Sequence, residues 1–224
     1  MKIFSNNLAI YVIILLISFL IIIATTYLLD KKSYKNLVEF AYAKTDSIKI
    51  CCTWGESLAD GTLTYKIINK KPEFEEIVNE MLNKWKKSIN KLNFMETKNS
   101  NPDIEFIFVK DKGKTAGQTI TSFDEDGLVN KNEIFISKFA FNKKLDKEVI
   151  KQVTKHEIGH ALGLGHADFE DNVMSSLIYD KEIEITKCEV DAVIKANEWK
   201  FNSKYKIENN LIYKTETKIH VCEN

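Results

Sequence analysis

The chain contains no arginine; all 32 of its basic side chains are lysines, matched by 32 acidic ones for a formal net charge of zero. Bidentate guanidinium recognition of phosphates or base edges is therefore excluded, and no basic stripe takes its place, so nucleic acid is not an expected partner. Proline and glycine are also scarce, 2 and 8 in 224 residues, which rules out collagen-like or linker-dominated chains. There are no internal repeats and no low-complexity tract. Ordinary apolar content and this length suit one globular domain with appendages. Cysteine and histidine number four each, and what matters is where they fall.

Long apolar runs are absent except for one. Leu8 to Leu29 is 22 residues interrupted only by Ser18, Thr25 and Thr26, enough at a helical rise to cross a bilayer's hydrocarbon core. Residues 1–29 read as an uncleaved transmembrane anchor; the alternative is a signal peptide, whose apolar region is normally shorter and followed closely by a small-residue cleavage site. Lys31, Lys32 and Lys35 come after the run, whereas only Lys2 precedes it, so a positive-inside count alone favours a cytoplasmic body. The cysteines argue the other way. Cys51, Cys52, Cys188 and Cys222 lie near the two ends of the globular part, as expected of disulfides that staple the termini in an oxidising compartment; four reduced thiols are the alternative. The expected location is a membrane-anchored, extracellular body, secreted if the segment is cleaved.

Three of the four histidines fall within eleven residues, His156-Glu157-Ile158-Gly159-His160-Ala161-Leu162-Gly163-Leu164-Gly165-His166. This is H-E-x-x-H-x-x-G-x-x-H, a spacing expected by chance on the order of 10⁻⁸ per starting position, which separates it from an ordinary amphipathic helix. Residues four apart on a helix share a face, so His156 and His160 can address one ion with Glu157 beside them. The chain must then turn sharply, and Gly163 is where a left-handed backbone costs least, returning His166 to the same ion. Three neutral imidazoles leave a fourth tetrahedral position to water, the open coordination of catalytic zinc. One catalytic Zn2+ is expected, and because cysteines in C-x-x-C spacing are missing, no second zinc on cysteines is expected.

Around the motif, residues 30–50 read as a polar connector, 51–201 as the catalytic domain and 202–224 as a β-hairpin tail turning at Asn209-Asn210. Thr62–Ile68 reads as a strand after Gly61. Pro72 opens a helix whose Phe74, Ile77, Val78, Met81, Leu82, Trp85 and Ile89 keep three-and-four spacing. Short strands are expected at Leu92–Glu96, Ile104–Lys110, Thr115–Phe123 and Glu133–Ser137. The motif helix should begin near Lys144 and the segment Ala167–Ile183 should be irregular. A closing helix should start at the capping-box spacing Thr186-Lys187-Cys188-Glu189. The fold class is α+β: a five-stranded mixed, twisted sheet with a backing helix, an active-site helix and a C-terminal helix, plus the amino-terminal membrane helix.

With these residues in order, the chain resembles a metzincin, and within that clan a short matrixin, from about Trp54 to Trp199. Leu63-Thr64-Tyr65-Lys66-Ile67 resembles the family's first strand. Trp85 with Leu92-Asn93-Phe94 resembles the end of its first helix and the segment after it, and Pro102-Asp103-Ile104-Glu105-Phe106 is similar to its Ala-Asp-Ile strand. Asp171-Asn172-Val173-Met174-Ser175 sits where metzincins carry a methionine turn, and the resemblance makes Met174 a floor beneath the imidazoles. Ser175-Ser176 departs from the family's Tyr-Pro, and Ala167 from its usual serine. The resemblance also implies structural calcium, for which Asp124 and Asp126 beside Gly127 offer carboxylates, although a solvated turn explains them as well. Cys51 and Cys52 lack the motif of the family's zinc-blocking latency peptide.

The resemblance implies a zinc endopeptidase acting on extended polypeptides, with Glu157 as general base and substrate paired backbone to backbone along an edge strand at Thr115, Ala116, Gly117, Gln118 and Thr119. Two other readings stand beside it. One is a membrane-tethered module that keeps zinc without cutting, which the presence of Glu157 argues against; the other is a zinc hydrolase of non-peptide bonds.

Overall fold

The computed structural model describes residues 46–110, 113–140, 143–177, 181–201 and 218–222. The expected anchor at 8–29 and most of the expected hairpin at 202–224 lie outside them. Among the described residues no helix is long and apolar enough to cross a membrane.

The described body falls within one compact unit, Asp46–Asn224. In chain order its elements are β1 (Ser47–Ile50), β2 (Thr62–Ile68), α1 (Pro72–Ser88), β3 (Asn93–Glu96), β4 (Ile104–Val109), β5 (Gly117–Phe123) and β6 (Val129–Ser137), then β7 (Phe139–Ala140), β8 (Lys143–Lys144), α2 (Lys147–Ala161), β9 (Leu164–Ala167), α3 (Lys187–Ala196), α4 (Glu198–Phe201) and β10 (Lys218–Val221). The main sheet runs β3-β2-β4-β6-β5. Its first four strands are parallel, and β5 is antiparallel to β6 at the edge. This is the mixed five-stranded sheet expected from the alternation pattern, with the antiparallel strand placed next to the chemistry.

β2 alternates strictly, with Leu63, Tyr65 and Ile67 buried and their neighbours half-exposed, so one face of the sheet is its core face. Phe74, Ile77, Val78, Met81, Leu82 and Trp85 of α1 pack on the core, the stripe that helical spacing assigned to it. The two helices lock together through polar atoms as well: the Trp85 indole N–H donates to the Lys155 carbonyl of α2 at 3.0 Å. α2 begins at an N-cap, Asp146, whose side chain accepts from the Val149 N–H at 2.9 Å, three residues later than the sequence placed its start.

Outside the main sheet, neither β1 and β9 nor the partner of β10 was legible in the sequence pattern. β1, assigned to the connector, is the middle strand of a separate sheet, antiparallel to both β9 and β10. The body therefore extends upstream of Cys51. β10, read as half of a local hairpin, pairs with β1 from the other end of the domain. A disulfide joins Cys188 on α3 to Cys222 just after β10, which staples the carboxy terminus as expected. The other disulfide links the neighbours Cys51 and Cys52 and staples nothing distant.

Candidate metal centre and cleft

α2 ends where its carbonyls find partners other than the next turn. Trp54 Nε1–H donates to the Ala161 carbonyl at 2.7 Å and Asn197 Nδ2 to that of Leu162 at 3.0 Å. Gly163 then takes a φ of +100°, the left-handed conformation its place in the motif required, and a side chain there would strike the Cys52 carbonyl. The chain leaves as β9, not as an irregular turn, and pairing with β1 fixes the direction in which His166 returns.

The result is a cluster of His156, His160 and His166 whose ligand nitrogens lie within 4.8 Å of one another. Among the described residues no other group of three histidine, cysteine or carboxylate side chains converges in this way. Two of the rings are oriented by backbone carbonyls, which only accept. His156 Nδ1–H donates to Val173 at 2.7 Å and His160 Nδ1–H to Leu164 at 2.8 Å. Each tautomer is thereby set, leaving Nε2 with its lone pair for an ion. Burial holds His156 down at about 3, helped by the neighbouring His160 and opposed by the Val173 carbonyl. Burial likewise lowers His160 to about 4, and lowers His166, to which Lys49 adds. Neutral, pre-oriented imidazoles with no anionic ligand fit a catalytic zinc site.

Glu157 is 5% exposed, beside the triad. Burial pushes its carboxyl up to about 7 against a hydrogen bond from the Thr119 hydroxyl, which reaches Oε2 at 2.7 Å. Thr119 was expected only as a backbone contact for substrate; its side chain serves the carboxylate. Gly117 permits the close approach of β5, since a Cβ there would lie 2.5 Å from Glu157 Oε1 and 2.6 Å from Val153 Cγ1. Thr115, Ala116, Gly117, Gln118 and Thr119 all line one cleft of about 1200 Å³ together with the three histidines and Glu157.

Met174 is fully buried beneath the motif helix, its sulfur against Gly159, as the floor reading requires. Its N–H is held by Asn172 Oδ1 at 2.8 Å and its carbonyl accepts from the Ala167 N–H at 2.8 Å, so the methionine turn is tied to the strand that carries His166. Ser175, Ser176, Leu177 and Ile183 form part of the cleft wall beyond it. At the proposed calcium turn, Asp124 Oδ1 accepts from the N–H groups of Asp126 and Leu128, which accounts for that carboxylate as a turn cap.

Sequence reasoning missed several supporting residues. Buried Glu189 completes the capping box of α3 and also accepts from the Val173 N–H at 3.3 Å, linking a helix cap to the carbonyl that orients His156. The fully buried Lys155 donates to the Ile183 carbonyl and fastens the cleft wall to α2. The capping-box spacing was visible in sequence; the second use of its glutamate was not.

A mixed sheet with an antiparallel edge strand, a histidine-bearing helix and a methionine turn beneath it make an α+β metzincin fold. The matrixin family pattern matches residues 53–196, and the chain belongs to that family. It is also 36% identical over 72 residues to "Metalloendoproteinase 5-MMP" of Arabidopsis thaliana, a match covering 31% of this chain and 19% of that protein.

Proposed function

We propose that this protein is a zinc-dependent endopeptidase that hydrolyses internal bonds of extended polypeptides, with His156, His160 and His166 as metal ligands and Glu157 as general base. The observation that supports the reading is the convergence of three imidazoles, two of them oriented by backbone carbonyls, beside a buried carboxylate that burial raises to about 7. Zinc held there supplies Lewis-acid polarisation of the scissile carbonyl and acidifies the attacking water. Glu157 takes the water's proton and delivers it to the leaving amine, a step that typically contributes 10²–10⁴ in rate. Thr119 favours the ionised carboxylate against burial and aims it. β5, the last strand of the sheet, offers a backbone edge along which an extended substrate can pair. Met174 and Gly163 hold the ligand frame.

The placement is part of the same proposal. The apolar run at 8–29 supports a tether, and the Cys188–Cys222 disulfide supports an oxidising, extracellular compartment for the body. Calcium at the 124–127 turn is a lesser element of the reading.

The test compares the zinc-loaded full chain in detergent with its Glu157→Ala variant on a mixed peptide library. Cuts at internal bonds by the parent that vanish in the variant are the expected result. A folded, zinc-containing parent that cuts nothing would leave a tethered zinc module as the better reading.

A further inference from the structure

The cleft has a charge that the chain as a whole lacks. Among the described residues, the ionisable side chains other than histidine that line it are three lysines, Lys49, Lys114 and Lys143, and one acid, the buried Glu157. All three lysines are exposed, and none of them forms an ion pair among the described residues, in contrast to Lys70, Lys84, Lys131, Lys147 and Lys151, whose charges are matched by glutamates. This leaves three unpaired positive charges along the cleft in which the proposed substrate would lie.

The three lysines are spread along the cleft. Lys49 on β1 packs its Cβ region against Gly165 and its charge bears on His166, so it stands beside the third imidazole. Lys143 lies three residues before Asp146, the N-cap of α2, which is itself about 15 Å along the helix from His156 at the usual rise. Lys114 lies three residues before Gly117, and whereas Thr119 meets Glu157, Gly117 lies against both Glu157 and Val153 one turn earlier, so β5 runs back toward the amino-terminal end of α2 and Lys114 continues that way. Between them the walls are apolar or uncharged, with Leu145, Val149, Val153, Val173 and Ile183. Low-dielectric walls with one sign of charge at the rim focus the field on an entering chain.

We propose that the preferred substrates are acidic polypeptide segments: a neutral or apolar core at the cleaved bond, flanked by aspartate or glutamate close to it on the Lys49 side and about three to five residues away on the Lys114 and Lys143 side. The spacing comes from an extended chain advancing about 3.3 Å per residue across the helix distance. The inference rests on the endopeptidase reading above and adds the substrate's charge to it.

The experiment uses the zinc-loaded full chain in detergent and three peptides that share one neutral cleavable centre and carry glutamate, serine or lysine flanks. The expected order of kcat/KM is acidic, neutral, basic, with about 2- to 5-fold per flanking charge at low salt, and the spread should contract between about 0.02 M and about 0.5 M salt. K114E/K143E should reverse the order for charges on that side, and K49E for the other. Equal rates for the three peptides, or a preference that neither salt nor charge reversal moves, would overturn the proposal while leaving the endopeptidase reading intact. Failure to cut any of the three would sink both. The salt series needs no variant, so a misfolded mutant cannot rescue or obscure the outcome.

Discussion

The Thr119 hydroxyl donates to Oε2 of Glu157 at 2.7 Å, joining the edge strand of the sheet to the carboxylate of the motif helix. The hydrogen bond favours the ionised form and works against burial, which has already raised Glu157 to about 7. In the proposed mechanism Glu157 must be ionised to accept a proton, so this contact, set against burial, bears on where activity begins on the acid side. Thr119→Val removes the donor and keeps the shape. The acid limb of the kcat/KM profile should move upward by about half a unit to one unit, with zinc content unchanged. An unmoved limb would mean that another group sets it.

Glu157 also predicts the stability of the metal-free protein. Its folded pKa of about 7 lies above its ordinary 4.5, so the folded state holds the proton more tightly than the unfolded one. The stability this confers is full below 4.5 and is lost as pH rises through about 7, a change of about 3 kcal/mol at most. Glu157→Gln cannot ionise. Freed of zinc by a chelator, the variant should be more stable than the parent at pH 8 by about 2–3 kcal/mol and nearly equal at pH 4, as read by denaturant melts.

Gly159 and Met174 should be coupled. A methyl group on residue 159 would collide with the methionine sulfur, so Gly159→Ala overpacks the floor at a cost of about 1–3 kcal/mol despite alanine's better helix propensity. Met174→Ala should cost about 2–5 kcal/mol by leaving a cavity. In the double variant the new methyl enters the emptied space. Denaturant melts of all four proteins should give a loss smaller than the sum of the single losses; simple additivity would show that the two residues do not share a packing site.

Glu189 reaches the site through two steps, holding the Val173 N–H while the Val173 carbonyl holds His156 Nδ1. Glu189→Ala should therefore weaken zinc binding about 10- to 100-fold, as loss of an outer-layer partner typically does, in addition to destabilising α3. Glu189→Gln keeps an acceptor and should recover most of the affinity. A variant that melts early yet binds zinc as tightly as the parent would confine the residue to its capping role.

Breaking Cys188–Cys222 opens a loop of 34 residues and should cost about 3–4 kcal/mol by the chain-entropy account. Cys188→Ser/Cys222→Ser should show this loss in thermal melts while retaining zinc, because neither cysteine touches the triad.

The site was legible because its information is local. Eleven consecutive residues contain the three histidines, the glutamate and the turning glycine, and helical geometry alone brings His156 and His160 onto one face. Thr62–Ile68 and the α1 stripe were legible for the same reason, since period-2 and three-and-four alternation survive in any sheet-and-helix packing. β1, β9 and the pairing of β10 were not. Each of these strands is four residues long, too short to show a period, and they exist as strands only because they pair with one another across 114 to 174 residues of chain.

By itself the sequence determined the spacing of the three histidines and the glutamate, the succession along the chain of the main-sheet strands and their helices, and the apolar segment at 8–29, because each is carried by residue type and short-range spacing. Tertiary structure decided the rest: that the Thr119 hydroxyl meets Glu157, that Val173, Leu164 and Glu189 orient the histidines, and that three lysines from separate elements face one cleft. Such contacts join residues whose positions relative to one another are set only when the sheet and helices pack, so no local pattern records them.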